Sequence, residues 1–309
     1  MQHWFKILAI GMVMGAAEVV PGVSGGTIAF ISGIYERLVN GIRQFNPYLL
    51  VGLKHHGIKA VWHRVDGTFL VVLFGGMGVS IILFAGVLGH LLRNEPVGIW
   101  SFFAGLVIAS TFLVYQQISR FSIDVVVGIA LGAAFGIVIT NLVPIELEPT
   151  PLFLFVGGAI AICAWILPGL SGSFILLILG LYAVVIDAIE HLNIIVLGSL
   201  AAGCAVGIVS FAQILSRLFR RFRDETLAVL TGFMLGSLVK LWPWKHTISY
   251  QLRDDGSQIP LVQEPVMPDA YLAVTGNDAD LMVAIISVVA GFLVVLLVDW
   301  LANASWRDA

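Results

Sequence analysis

Residues 17–35 read Ala-Glu-Val-Val-Pro-Gly-Val-Ser-Gly-Gly-Thr-Ile-Ala-Phe-Ile-Ser-Gly-Ile-Tyr, and residues 164–182 read Ala-Trp-Ile-Leu-Pro-Gly-Leu-Ser-Gly-Ser-Phe-Ile-Leu-Leu-Ile-Leu-Gly-Leu-Tyr. One offset pairs Pro21 with Pro168, Gly22 with Gly169, Ser24 with Ser171, Gly25 with Gly172, Gly33 with Gly180 and Tyr35 with Tyr182. A second match follows in each half, after a connection of different length: Gly76, Leu88, Leu91, Gly105 and Ser110 against Gly203, Leu215, Leu218, Gly232 and Ser237. Chance likeness among apolar segments accounts tolerably for the second match and poorly for the first. Self-similarity at this scale divides the chain into two repeats, 1–148 and 149–309.

The setting of these segments is a membrane. Hydrophobic residues make up 59% of the chain and charged residues 11%, whereas a water-soluble domain carries roughly 25% charged. Runs free of Asp, Glu, Lys and Arg cover 67–92, 97–119, 125–145, 149–186, 192–216 and 281–298, with weaker ones at 7–17, 19–35 and 226–239. About 20 apolar residues span the hydrocarbon core, and helices must do so because lipid offers the backbone no partners. A cleavable signal at 1–17 is disfavoured because the segment directly after it recurs deep in the chain. Cys163 and Cys204 lie in apolar runs without metal-ligand spacing and read as packing residues. His55 and His56 have no partner set for a metal, so neither metal nor cofactor is expected, and no nucleic acid.

Lys and Arg placement sets the orientation. The 36–66 segment, with Arg37, Arg43, Lys54, Lys59 and Arg64, and the run Arg217, Arg220, Arg221 and Arg223 are expected in the cytoplasm. The turn with Glu146 and Glu148, and the acidic 243–280 segment, are expected outside. Both termini then face the cytoplasm, and Trp242 and Trp244 read as an interfacial aromatic belt. The parity holds only if each motif segment enters and leaves on one face. The 149–186 run as a single helix would be ~57 Å long, so it must fold back at Pro168-Gly169. The expected fold is therefore all-α and polytopic. It comprises two inverted-topology repeats, each a motif-bearing helical hairpin, re-entrant or fully crossing, followed by three transmembrane helices, as in many secondary transporters.

At such a bend proline ends the incoming helix and glycine permits the turn. Pro21, Gly22, Pro168 and Gly169 are the expected turn residues. The outgoing helix presents unpaired N–H groups and the positive end of its dipole, with hydroxyls beside it, which suits an anion such as phosphate. Ser24, Gly25, Gly26, Thr27, Ser171, Gly172 and Ser173 are the candidate phosphate ligands, with Ser24 and Ser171 as plain helix caps in the blander reading. Gly33, Gly75, Gly76, Gly157, Gly158 and Gly180 read as packing positions. Glu18, an ionisable group in an apolar stretch, is a candidate for coupling or gating; its counterpart is Trp165. Arg37 and Arg43 are placed to meet a lipid head group or to serve as positive-inside anchors. The 217–223 run reads as a topology and anionic-lipid patch.

The two motif segments, with the basic 36–66 loop and the chain length, resemble the PopT-type bacterial polyprenyl-phosphate translocases. The resemblance covers nearly the whole chain. It implies a flippase for undecaprenyl phosphate in the bacterial cytoplasmic (inner) membrane, returning the lipid carrier for cell-envelope and peptidoglycan synthesis. Its expected partners are the polyprenyl-phosphate lipid, membrane lipids and a proton or sodium gradient. It points to Glu18, Pro21, Gly22, Ser24, Gly25, Gly26 and Thr27, and to Pro168, Gly169, Ser171, Gly172 and Ser173. Two rivals stand beside it. A polyprenyl-pyrophosphate phosphatase would need cationic clamps, yet the second loop, Pro-Gly-Leu-Ser-Gly-Ser, holds no arginine. A small-anion transporter would use the same loops.

Overall fold

The computed structural model describes residues 2–18, 24–46, 48–142, 148–252 and 258–307. The chain begins with α1 (Gln2–Glu18), α2 (Gly25–Ile31), α3 (Tyr35–Arg43), α4 (Tyr48–Arg64), α5 (Gly67–Asn94), α6 (Pro96–Tyr115) and α7 (Ile123–Thr140). It continues with α8 (Pro151–Ile166), α9 (Gly172–Ile178), α10 (Tyr182–Glu190), α11 (Ile194–Arg221) and α12 (Arg223–Ser237). Strands β1 (Lys245–Leu252) and β2 (Gln258–Pro265), then α13 (Pro268–Thr275) and α14 (Leu281–Arg307), complete it. The protein is an all-α polytopic membrane protein, and the small β-hairpin is its one departure from helix among the described residues.

Helices α5, α6, α7, α11 and α14 are long and apolar enough to cross a bilayer, and α9 with α10, bent by 107°, forms a broken or re-entrant unit. Their outward residues are apolar: Ile82 is 83% exposed, Ile123 79% and Met282 75%. Such a surface suits hydrocarbon and would be a liability in water. Helix starts follow the sequence closely. Thr150 accepts from the Phe153 amide, Asn193 from Val196 and Ser122 from Val125, and Pro96 occupies the first turn of α6, where no N–H is needed.

A seven-residue helix followed by a nine-residue one occurs twice, as α2–α3 and as α9–α10. Helix α2 folds back on α1 and α9 on α8, so each motif bend is the tip of a helical hairpin. Helix α1 then lies along α5 and α8 along α11, while α6 lies along α14 and α7 along α12. These four contacts are built on glycine. A Cβ on Gly11 or Gly15 would strike the Leu73 or Met77 carbonyl, on Gly158 the Leu200 carbonyl, on Gly132 the Val229 carbonyl, and on Gly105 the Val288 carbonyl. Lipid supplies no hydrophobic push between helices, so close backbone approach supplies the attraction. The thiols of Cys163 and Cys204 face the carbonyls of Gly207 and Gly158 across the α8–α11 contact, at 3.7 and 3.4 Å.

Gly33 and Gly180 differ from their expected packing role. They lie between α2 and α3 and between α9 and α10 with φ of +69° and +68°, and nothing lies within 4 Å of the Gly33 Cβ position. Their task is a left-handed turn, which a residue with a Cβ enters only under strain. Gly75 likewise faces open space, and Gly157 faces the Leu181 side chain.

The acidic 243–280 segment is a folded cap. Strand β1 pairs antiparallel with β2, and Pro260 and Pro265 are tolerated because each strand of a two-stranded sheet is an edge. Trp242 and Trp244 are bound into this cap. Their indoles donate to the carbonyls of Val266 at 2.9 Å and Ala279 at 2.7 Å, and Trp244 packs with Val97, Tyr271 and Ala284, tying the cap to α6 and α14. Glu146, Asp254 and Asp255 lie outside the described residues.

Candidate functional site

The first motif is ordered around the start of α2. Ser24 is extended and caps the helix, its hydroxyl accepting from the Gly26 amide at 3.1 Å while its carbonyl accepts from Thr27 at 3.0 Å. The Gly25 amide donates to Glu18 Oε1 at 2.5 Å. Because Glu18 is the last residue of α1, this bond ties the two arms of the hairpin across the bend. Pro21 and Gly22 fall in that bend, outside the described residues.

The second motif approaches the first directly. The Ser24 hydroxyl faces the carbonyls of Trp165 and Leu167, each at 3.2 Å. The Gly169 amide donates to Thr27 Oγ1 at 3.1 Å, and the Tyr35 hydroxyl donates to the Ile166 carbonyl at 3.1 Å. A Cβ on Gly26 would sit 2.6 Å from the Ile166 carbonyl oxygen, so only glycine permits this approach. Gly169 turns with φ +85° against the backbone of Met234, directly after Pro168. Beyond the turn Ser171 caps α9, accepting from Phe174 at 3.4 Å, and the Ser171 and Ser173 hydroxyls share a bond of 2.9 Å. No partner occurs for the Gly172 and Ser173 amides among the described residues.

Glu18 and Trp165, which the repeat pairs, also meet in space: the Trp165 side chain lies beside the Glu18 carboxyl and stacks on Phe74 at 6.1 Å. The site is closed. Ser24 is 1% exposed, Thr27 0% and Ser171 3%. The first amides of α2 are taken by protein atoms, and one of those atoms is a carboxyl oxygen. The Glu18 side chain thus occupies the place at a helix start that an anion prefers.

Arg37 stands apart from the loops. Its guanidinium pairs with Asp66 through Nε at 2.6 Å and Nη2 at 3.1 Å and lies 4.2 Å from the centre of the Phe69 ring. Three groups escaped the sequence reading. Tyr35 bridges the halves and packs on Phe30 and Phe219; its recurrence as Tyr182 was the available signal. Lys240 sits over the Phe174 ring of α9 at 4.5 Å, and Lys245 over Trp100 at 3.3 Å. The Lys245 ammonium is buried with no hydrogen-bond partner among the described residues. Burial, with Lys240's charge adding to it, holds its pKa well below the usual lysine range.

Residues 14–259, spanning both loops and reaching into the cap, match the family model described as undecaprenyl phosphate translocase-like. The chain belongs to that translocase-like family. Among its relatives is a polyprenyl-phosphate transporter of Vibrio cholerae, 45% identical over 286 residues, 93% of each chain. Another is a polyprenyl-phosphate transporter of Staphylococcus aureus, 28% identical over 269 residues, 78% of this chain and 86% of that one. No solved structure matches this family member.

Proposed function

We propose that the chain carries a polyprenyl phosphate, undecaprenyl phosphate in the bacterial inner membrane, from one leaflet to the other by alternating access, without chemical turnover. The observation that carries this is family membership over most of the chain, in company with relatives named for that cargo. The meeting of the two motif loops supports a central phosphate site. The repeats 1–148 and 149–309 are inverted, both termini are cytoplasmic, and the two motif hairpins move against each other at the Ser24–Thr27 and Trp165–Gly169 contact. That contact is a handful of neutral hydrogen bonds, each worth about 1 kcal/mol net, so it can break and re-form within a transport cycle.

In the opened site the Gly172 and Ser173 amides and the motif hydroxyls receive the phosphate oxygens, and the head group displaces the Glu18 carboxylate from the Gly25 amide. Two anions at one helix start repel, so Glu18 takes up a proton as the phosphate arrives and releases it as the phosphate leaves. The prenyl chain stays in lipid throughout. A phosphatase reading has less support, because no arginine or histidine meets these loops among the described residues.

The test is reconstitution in vesicles with a fluorescent polyprenyl phosphate whose leaflet is read by a membrane-impermeant quencher. Transfer above protein-free vesicles is expected, together with dependence on an imposed proton gradient. In Glu18→Gln that dependence vanishes and the rate falls by about tenfold or more, the worth of one ~1.4 kcal/mol interaction. Absence of transfer by the wild-type protein would remove the reading. Equal inhibition by inorganic phosphate and by the lipid would favour a small-anion carrier.

A further inference from the structure

The end of α3 and the C-terminal half of α11 enclose two neighbouring hollows unlike each other in chemistry. One, of about 390 Å³, is apolar and walled by Ile42, Phe45, Leu70, Phe74, Ile208 and Val209. The other, of about 160 Å³, is walled by Arg43, Asn46, Gln213, Arg217 and Arg220. The same two parts of the chain line both: α3 and the turn after it give Ile42 and Phe45 to the first and Arg43 and Asn46 to the second, and α11 supplies the facing wall of each. Along α11, Val209 and Gln213 are one turn apart, ~6 Å, so the basic hollow begins where the apolar one ends. The apolar hollow reaches the surface of the protein, since Phe45 in its wall is 45% exposed and Phe74 39%.

Charge separates these arginines from their neighbours. Arg37 is neutralised by Asp66, and Arg223 lies 3.9 Å from Glu36. Arg43, Arg217 and Arg220 have no carboxylate within ion-pair distance among the described residues. Arg43 is also held in place, its Nη1 donating to Ser216 Oγ at 2.7 Å, and that hydroxyl donating to Asn40 at 3.1 Å. A topology anchor needs neither a hollow nor a pre-set guanidinium. Three uncompensated arginines around one cavity are suited to a group bearing more than one negative charge, because the guanidinium fork matches phosphate oxygens. A terminal phosphomonoester carries about −1.5 to −2 near neutral pH, whereas a phosphodiester lipid carries one charge.

We propose that this pair of hollows is a docking station for an isoprenoid phosphate at the membrane surface: the phosphate lies among Arg43, Arg217 and Arg220, and the first isoprene units lie in the apolar hollow beside it. It is distinct from the loop site and lies on the arginine-rich face, where cargo is handed to or taken from the inner leaflet. The inference rests on the reading of the chain as a polyprenyl-phosphate carrier.

Photolabelling of the purified full-length protein in detergent, with a benzophenone-bearing geranylgeranyl phosphate and peptide mapping, tests it. Adducts are expected on residues 42–46 and 205–220. The triple variant Arg43→Gln, Arg217→Gln, Arg220→Gln loses about tenfold or more of the labelling, roughly one ~1.4 kcal/mol contact or more. Arg217→Lys, which keeps the charge and loses the fork, loses part of it. Arg120→Gln, at an exposed arginine outside the hollow, labels as wild type. Single variants at Arg217 and Arg220, which are exposed, together with monodisperse elution, separate loss of binding from loss of fold. Unchanged labelling in the triple variant overturns the proposal, and so does displacement of the probe by phosphatidylglycerol as effective as by unlabelled geranylgeranyl phosphate. The two readings fail separately: labelled hollows in a protein that moves no lipid would remove the carrier function alone, and lipid transfer with unlabelled hollows would remove the docking station alone.

Discussion

At the scale of single residues, the two motif serines are chemically alike and structurally unequal. Each caps a seven-residue helix, but only the Ser24 hydroxyl also reaches across to the Trp165 and Leu167 carbonyls. Removing a cap costs about 1 kcal/mol, and losing a buried hydroxyl that also faces carbonyls adds roughly 1 kcal/mol more. Ser24→Ala should therefore lower the melting temperature in detergent further than Ser171→Ala, whose hydroxyl bonds only within its own loop; equal shifts would mean that the cross-loop contact is not stabilising. Lys245 gives a pH prediction. Its folded-state pKa lies below the ordinary 10.5 because burial and Lys240 disfavour its charge. The unfolded chain then holds a proton that the folded one has released, so stability rises as pH climbs from the folded value towards 10.5 and is flat outside that window. Thermal unfolding followed from neutral to alkaline pH should show the rise. Lys245→Met should be more stable at neutral pH, since the cost of burying a lysine amine without a hydrogen-bond partner disappears when an apolar side chain of like size replaces it, and its rise should be smaller. An identical rise in the variant would refute the assignment.

At the scale of elements, two glycine roles are mixed in one sequence and respond differently to a methyl group. Gly33 links α2 to α3 at φ +69° with open space around its Cβ position, so Gly33→Ala suffers only backbone strain, about 1 kcal/mol. At Gly105 the added Cβ would meet the Val288 backbone at the α6–α14 crossing, where a carbonyl cannot rotate away as a side chain would. Gly105→Ala should cost about 1–3 kcal/mol and should separate α6 from α14, read as a larger loss of thermal stability than in Gly33→Ala. The reverse order would show that the crossing is more pliable than its geometry implies. The β-hairpin also belongs at this scale. Its signal was present in the alternation of Ile248, Tyr250 and Leu252 before Asp255-Gly256, but it was hidden by the acidic composition of the segment around it.

At the scale of the whole molecule, the last helix of each half packs on the other half: α14 lies along α6, and α7 along α12. Neither half can cover its own α6 or α12 alone. Residues 1–148 and 149–309 expressed as separate chains should therefore co-purify as one complex, and each expressed singly should fail to accumulate as a monodisperse species. Two independently stable halves would contradict this exchange. The same arrangement bears on transport, because any rocking must occur where α1, α2, α8 and α9 meet and not along the glycine-built crossings.

The membrane class, the helices long enough to cross and the recurrence of the Ser24–Tyr35 pattern at Ser171–Tyr182 were legible along the chain alone. These follow from hydropathy, charge spacing and local residue chemistry, which act over a few turns of helix. Which helix covers which, the seating of Glu18 on the Gly25 amide, the hold of Asp66 on Arg37, and the meeting of Arg43 with Arg217 and Arg220 around one hollow emerged from the folded chain. Those partners lie far apart along the chain or across a bend, and in lipid an apolar helix face gives no preference among apolar neighbours. The choice is made by backbone-to-backbone fit at glycines and by the placing of a few polar atoms, and both exist only once the helices have met.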